Sequence, residues 1–412
     1  MATVLVIGTM DTKGPESAYL AARIRELGCQ TLILDSGILG EPRQIECDIP
    51  RRQVADASGM PLDAIRDSGS RGKAVEQMLK GVRAITVELH AQGKIDGVIT
   101  LGGAEGSVLA AAAMHALPLG FPKIIVSPIA SGRRIFEPFM GTKDVTVIHS
   151  VVDILGLNPI SRGVFDMAAA GIAGMARAHF AAKSAKQNTF ARRQLAATML
   201  GNTTKALMPI KERLEQIGFE VLIFHANGVG GPAMEEQIDQ GVIHGVIDFT
   251  LSEIIGGIAG GHLSCGPQRL DAAARRGIPQ LIVPGCVDFL GFGPKNEIPD
   301  KYRGRPTHNH NPQFTLVRAS RDEQLECARR IAEKLNAALG PVTLIVPTEG
   351  LSVANRRHGG EFWDPETDQL FRDQLRKSLK KEIEYSEVEA HINDEAFSNA
   401  VFEKARLVFA HS

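Results

Sequence analysis

The feature that most constrains this chain is a unit that recurs along it: a short β-branched run, a loop of Gly, Thr, Ser or Asp, then a helical stretch. Val4-Leu5-Val6-Ile7 leads into Gly8-Thr9-Met10-Asp11-Thr12-Lys13-Gly14-Pro15, and a helix is expected over 16–27. Pro15 suits a first helical turn and Gly28 a C-terminal stop. Further strand runs fall at 31–34, 95–101 and 123–126, with a helical stretch at 107–116. Parallel neighbours need a crossover, usually a helix, so this alternation implies an α/β fold whose parallel sheet is covered on both faces.

The unit restarts in the second half. Residues 194–199, then Leu200-Gly201-Asn202-Thr203-Thr204-Lys205 and a helix to Gln216, echo the N-terminus. Gly28 matches Gly218, Leu32 matches Leu222, and Asp35 falls opposite His225 at equivalent strand ends. The register predicts two α/β parallel-sheet domains of divergent duplicate origin, 1–185 and 186–412, joined by the polar stretch 182–193. Residues 41–73, with Pro42, Pro50 and Pro61, read as an irregular excursion with one short helix. The tail 355–412 adds a helix, a strand at 383–388 and a last helix starting near Asn393-Asp394.

Charge narrows the partners. Lys plus Arg number 46 against 47 Asp plus Glu, which disfavours nucleic acid and anionic membrane surfaces, since both need a cationic face. Five scattered cysteines without a CxxC pair read as reduced thiols. With no basic leader and no apolar run of membrane-spanning length, the expected location is cytoplasmic.

In open α/β sheets ligands sit beyond the carboxyl ends of the strands, and helix starts there attract phosphate. The first loop offers Gly8 for close approach, the hydroxyls of Thr9 and Thr12, the charge of Lys13, and Asp11 for Mg²⁺ or for capping. Asp35 ends the second strand, where a carboxylate can bond a ribose hydroxyl. Gly102, Gly103, Gly106 and Ser107 have the sterics of a phosphate cradle; Ser131, Gly132, Gly141 and Thr142 complete the set. Glu105 repels phosphate unless Mg²⁺ intervenes. Neither a Walker A loop nor a GxGxxG fingerprint is present, so the reading rests on several loops sharing one sheet edge.

The second half carries its own constellation. Asn227, Gly228, Gly230 and Gly231 form a glycine turn into a helix, a second anion site suited to a small anionic metabolite. His225, Glu253, Asp288 and His308 are the candidate catalytic groups. His308 and His310, two apart on an extended segment, would share one face and could bind a metal.

Several motifs together resemble a known family, the N-terminal region of the plant tobamovirus-resistance protein and its bacterial relatives. They are Ile7-Gly8-Thr9-Met10-Asp11-Thr12-Lys13, Leu101-Gly102-Gly103, Ala130-Ser131-Gly132, Gly141-Thr142 and Val151-Val152-Asp153-Ile154 in the first half. Phe224-His225-Ala226-Asn227-Gly228-Val229-Gly230-Gly231, Phe292-Gly293-Pro294-Lys295 and His391-Ile392-Asn393-Asp394 follow in the second. The resemblance implies paired Rossmann-like domains, a homodimer, and ATP bound in the first domain. Ala104 and Glu105 depart from the Gly-Gly-Ser-Gly-Gly-Thr loop more usual among the relatives, which bears on the phosphate contacts of that loop. Three functions compete: a nucleotide-dependent enzyme acting on a small anionic metabolite, a nucleotide-regulated protein-binding module, and a metal-dependent lyase or hydrolase centred on the second domain.

Overall fold

A computed structural model describes residues 1–130, 137–184 and 192–410. The chain divides into two compact units, Met1–Asn188 and Thr189–Ser412.

The first unit holds strands β1 (Thr3–Gly8), β2 (Gln30–Asp35), β3 (Gly97–Leu101), β4 (Lys123–Ser127) and β5 (Thr146–His149). Their order is β2-β1-β3-β4-β5, every pair parallel. Side chains alternate across β1 with period two. Val4 and Val6 pack with Leu20 and Ile24 of the helix Met10–Glu26 and with Ile172 and Ala173 of the helix Pro159–Ser184. Leu5 and Ile7 face the other way, onto Met78 and Val82 of the helix Arg71–Ala91 and Leu109 of the helix Ala104–His115. With both faces covered, β3 and β4 are buried at every position, and truncating such a leucine to alanine costs about 2–5 kcal/mol.

Three local expectations change. The first helix begins at Met10, ahead of 16, and Lys13 (φ −123°) marks a kink just before Pro15, which has no N–H to give the ladder. Two short helices, Arg51–Ala57 and Leu62–Arg66, replace the single one expected in the excursion, each with a proline at its N-cap, Pro50 and Pro61. Ser70 then caps the helix Arg71–Ala91 by accepting the Lys73 N–H at 3.3 Å.

The second unit contains β6 (Arg193–Met199), β7 (Phe219–His225), β8 (Gly245–Thr250), β9 (Gln280–Gly285), β10 (Phe289–Phe292), β11 (Thr307–Asn311), β12 (Phe314–Arg318), β13 (Val342–Pro347) and β14 (Glu384–Val388). Its main sheet runs β14-β13-β9-β8-β6-β7, all parallel, and β10-β12-β11 form a small antiparallel sheet. Counted within each unit, the winding is second, first, third, fourth, fifth in both sheets; the second unit appends one strand. Gly8 pairs with Asp35, and Met199 with His225, so those two residues occupy equivalent strand ends.

Candidate functional site

In the first unit the chain leaves β1 for β2 on one side and crosses back to β3 on the other. The loops that follow β1 and β3 therefore part at the carboxyl edge, the place where open α/β sheets hold ligands. A cavity of about 790 Å³ lies there. Its wall draws on the starts of three helices, at Met10, Arg71 and Ala104, through Thr9, Thr12, Ser70, Arg71, Gly103 and Gly106. First-turn N–H groups lack helical partners and carry the positive end of the dipole. Asp35 takes the Met10 N–H and Ser70 that of Lys73, and the remaining amides with the three dipole ends favour an anion. Ile38, Leu39 and Ala74 give the same space an apolar side.

The individual residues sort into wall and scaffold. Thr9 Oγ1 and Thr12 Oγ1 are 2.9 Å apart in one hydrogen bond. Asp11 accepts the Gly40 N–H at 3.0 Å and so steadies the loop after β2. Lys13 lines the cavity, while its ammonium donates to the carbonyl of Ile154. A Cβ on Gly103 would meet nothing within 4 Å, so any side chain there would enter open space. Gly8 and Gly102 are tight: a Cβ would lie 3.2 Å from Ser17 Oγ at the former and 3.0 Å from the Gly106 backbone at the latter. Ser107 is buried and its hydroxyl donates to the Gly102 carbonyl at 2.9 Å, which makes it a brace of the turn.

Two expected contacts are placed elsewhere. Asp35 is buried and stands outside the cavity wall; its Oδ1 accepts the N–H of Met10 at 3.0 Å and of Gly37 at 2.8 Å. It caps the first helix in place of a ribose contact, and burial raises its pKa. Gly141 and Thr142 precede β5 and so lie at the amino edge of the sheet, away from the crevice; Gly141 faces the imidazole of His115 at the far end of its helix. Ser131 and Gly132 lie outside the described residues. Sequence reasoning missed Arg66 and Arg71, both on the wall. Arg71 Nε and Nη2 stand 2.7 and 2.5 Å from Glu105 Oε2, so the carboxylate expected to repel phosphate is neutralised. The signal for Arg71 was legible as the capping serine Ser70 ahead of an amphipathic run.

The corresponding crevice of the second unit is packed. Thr203 Oγ1 and Thr250 Oγ1 are 2.9 Å apart, the Asn393 amide donates to the Asn202 carbonyl at 2.7 Å, and Ile392 Cδ1 is 2.7 Å from where a Cβ of Gly285 would stand. The proposed second anion site is also filled, by the protein itself. Glu253 is buried; its Oε1 accepts the N–H of Gly228 at 2.8 Å and of Gly231 at 3.0 Å, while Arg269 Nε donates to its Oε2 at 2.7 Å. Gly230 is glycine for a different reason, since a Cβ would fall 2.0 Å from the His225 carbonyl oxygen. Asn227 folds back within the turn, its Oδ1 accepting the Val229 N–H at 3.3 Å.

The four candidate catalytic groups enter separate networks. Glu253 belongs to Arg269, which also binds Asp248 through both terminal nitrogens (2.7 and 2.8 Å) and Glu235 at 3.3 Å. Asp288 is fully buried and accepts from Ser352 Oγ at 2.6 Å; Arg318 stands 3.6 Å away and binds Asp368 at 2.7 Å. Burial pushes the Asp288 carboxyl up to about 6. His308 pairs with Glu361 at 3.0 Å, and His225 is exposed at the end of β7. The two-residue spacing of His308 and His310 also fails as a face, because the β11–β12 register shifts between Asn309 and Asn311 and makes His310 the bulged residue. His310 packs edge-on to Phe314, and among the described residues no three His, Cys, Asp or Glu side chains are grouped to hold a metal. No described helix is long and apolar enough to cross a membrane.

Fold and site define a two-domain, Rossmann-like α/β protein with an open switch-point crevice in its first domain. The chain belongs to the Uncharacterised protein family (UPF0261): the family's N-terminal domain matches residues 2–181 and its C-terminal domain residues 192–409. A UPF0261 protein of Clostridium tetani is 38% identical over 402 residues, covering 97% of both chains. The ToMV susceptible protein tm-1(GCR26) and the ToMV resistance protein Tm-1(GCR237) of Solanum lycopersicum are 34% and 33% identical. Each aligns with 97% of this chain, which spans 54% of their own length.

Proposed function

We propose that the first domain binds a nucleotide, ATP with Mg²⁺, in the crevice between the β1 and β3 loops. The observation that carries the reading is the open cavity of about 790 Å³ on which three helix starts converge. Arg66, Arg71 and Lys13 supply cationic partners for phosphates, and Ile38, Leu39 and Ala74 an apolar wall for a base. The ligand is held by the hydroxyls of Thr9 and Thr12 and by the backbone at Gly103 and Gly106, without Asp35. Isothermal titration of the intact protein with ATP, with Mg²⁺ and with EDTA, tests this directly; no heat of binding in either condition ends the nucleotide reading.

The same proposal extends to a homodimer. The helix Pro159–Ser184 buries Phe165, Ala169, Ile172 and Ala176 against its own domain and leaves Ile160, Met167 and Met175 exposed. Light scattering at micromolar concentration should give twice 44.3 kDa; the mass of one chain would refute it.

A further inference from the structure

We propose that Glu105 is a built-in competitor for the ligand's phosphate, and that it makes binding in the first-domain crevice depend on a divalent cation; this rests on the reading of that crevice as a nucleotide site. Arg71 opens one helix and Glu105 lies in the first turn of another. An arginine in a first turn meets the positive end of its own helix dipole, so its guanidinium needs an anion nearby. Glu105 is that anion: a single oxygen, Oε2, takes both Nε and Nη2. The Arg71 side chain is 79% exposed, whereas that of Glu105 is 28% exposed. The cation is therefore the exposed member of the pair, with solvent to turn into, and the carboxylate is the more enclosed one.

The other charges on the wall are bound differently. Lys13 donates to Ile154, Arg66 to the carbonyls of Ile38 and Leu39 and to Asp63, and Asp11 accepts from Gly40, while Asp67 adds a second carboxylate beside Arg66. Arg71 is the wall cation whose partner is a carboxylate on the opposite helix start, and a phosphate matches its fork at least as well. Exchange has a cost. Once Arg71 turns to phosphate, Glu105 stands unpaired beside a polyanion, and like charges at that range repel. Mg²⁺ already seated on the phosphates cancels much of that repulsion. Metal-free ATP bears it in full.

The test compares ATP binding with Mg²⁺ and with EDTA in the wild type, Glu105→Gln and Glu105→Ser, with circular dichroism melts to verify the fold of each. Removing the charge should tighten metal-free ATP about fivefold, the scale of one partly exposed ion pair. Mg²⁺-ATP should stay within about twofold, because its charge is already offset. Arg71→Gln should weaken both forms. A wild-type protein that binds ATP with the same Mg²⁺ preference as both Glu105 variants would overturn the competitor role and leave the nucleotide reading standing. A wild-type protein that binds ATP in neither condition would remove the nucleotide reading, and this inference with it.

Discussion

The two domains share a winding and differ in what occupies its crossing point. In the first, the loops after β1 and β3 stand apart around about 790 Å³. In the second, Thr203 and Thr250 close the same position by a hydrogen bond, and the neighbouring glycine turn is filled by Glu253. A glycine-rich turn at a helix start advertises free N–H groups; it does not say who accepts them. In domain two the acceptor comes from the chain itself, one strand further on. The comparison teaches that an anion cradle must be judged together with the carboxylates that fold back onto it.

The largest expected effect lies in the filled domain. Arg269 is buried and serves three carboxylates, Asp248, Glu253 and Glu235. Arg269→Met should destabilise domain two by about 3–5 kcal/mol, because it strands buried charges. Urea denaturation should show this loss while ATP titration of the first domain is unchanged; a shift below 1 kcal/mol, on the order of a surface pair, would mean that the hub is not what holds the plug.

Next in size is a pH dependence confined to the same domain. The Asp288 carboxyl titrates near 6 in the folded protein against the ordinary 3.8, raised by burial and partly offset by Arg318. A raised carboxyl pKa contributes stability that is complete below the unfolded value, falls as pH rises from 3.8 towards 6, and is gone above. The loss amounts to at most about 3 kcal/mol. Asp288→Asn should therefore gain on the wild type in denaturant midpoint between pH 4 and 7, values that bracket the folded pKa of about 6. Parallel midpoints across that range would contradict a shifted Asp288.

In the open domain, Gly103→Val should weaken ATP by about tenfold or more, roughly 1.4 kcal/mol, since its side chain enters the cavity. Its Cβ meets no neighbour within 4 Å, so the melting temperature should hold. Unaltered affinity would move the ligand off this loop. The smallest effect sharpens the contrast most. Glu253→Ala opens the Gly228 and Gly231 amides, and added acetate should then raise the variant's melting temperature by about 2–4 °C while leaving the wild type's unchanged. If acetate acts equally on both, the turn is not an anion cradle.

Much of the fold was legible because it is written in local chemistry and in the repeat of one unit along the chain. The β-branched run Val4–Ile7, the stop at Gly28, and the match of Asp35 with His225 are written in the residues themselves, and strand β1, the end of the first helix and the β-sheet registers agree with them. The Thr9–Gly103 crevice followed from the same rhythm, since both loops end neighbouring strands. What sequence could not reveal was competition over distance. Asp35 is spent on Met10 and Gly37, and Glu253 on Gly228 and Gly231, because the chain folds back to bring each acceptor within hydrogen-bond reach. The bulge at His310 is likewise a property of pairing with β12, absent from the segment's own residues. Gly141 and Thr142 misled because a glycine–threonine turn looks the same at either edge of a sheet.

The Arg269 hub also bears on how the second domain breathes. Two of its three carboxylates also hold backbone amides, Glu253 those of Gly228 and Gly231 and Glu235 those of Leu270 and Ala272. No one of these amides can reach solvent for long without disturbing an acceptor that the others share through a single guanidinium. Deuterium uptake at the four should accordingly be correlated, with one opening free energy in place of four, so that a glycine turn and a distant helix start behave as one cooperative unit.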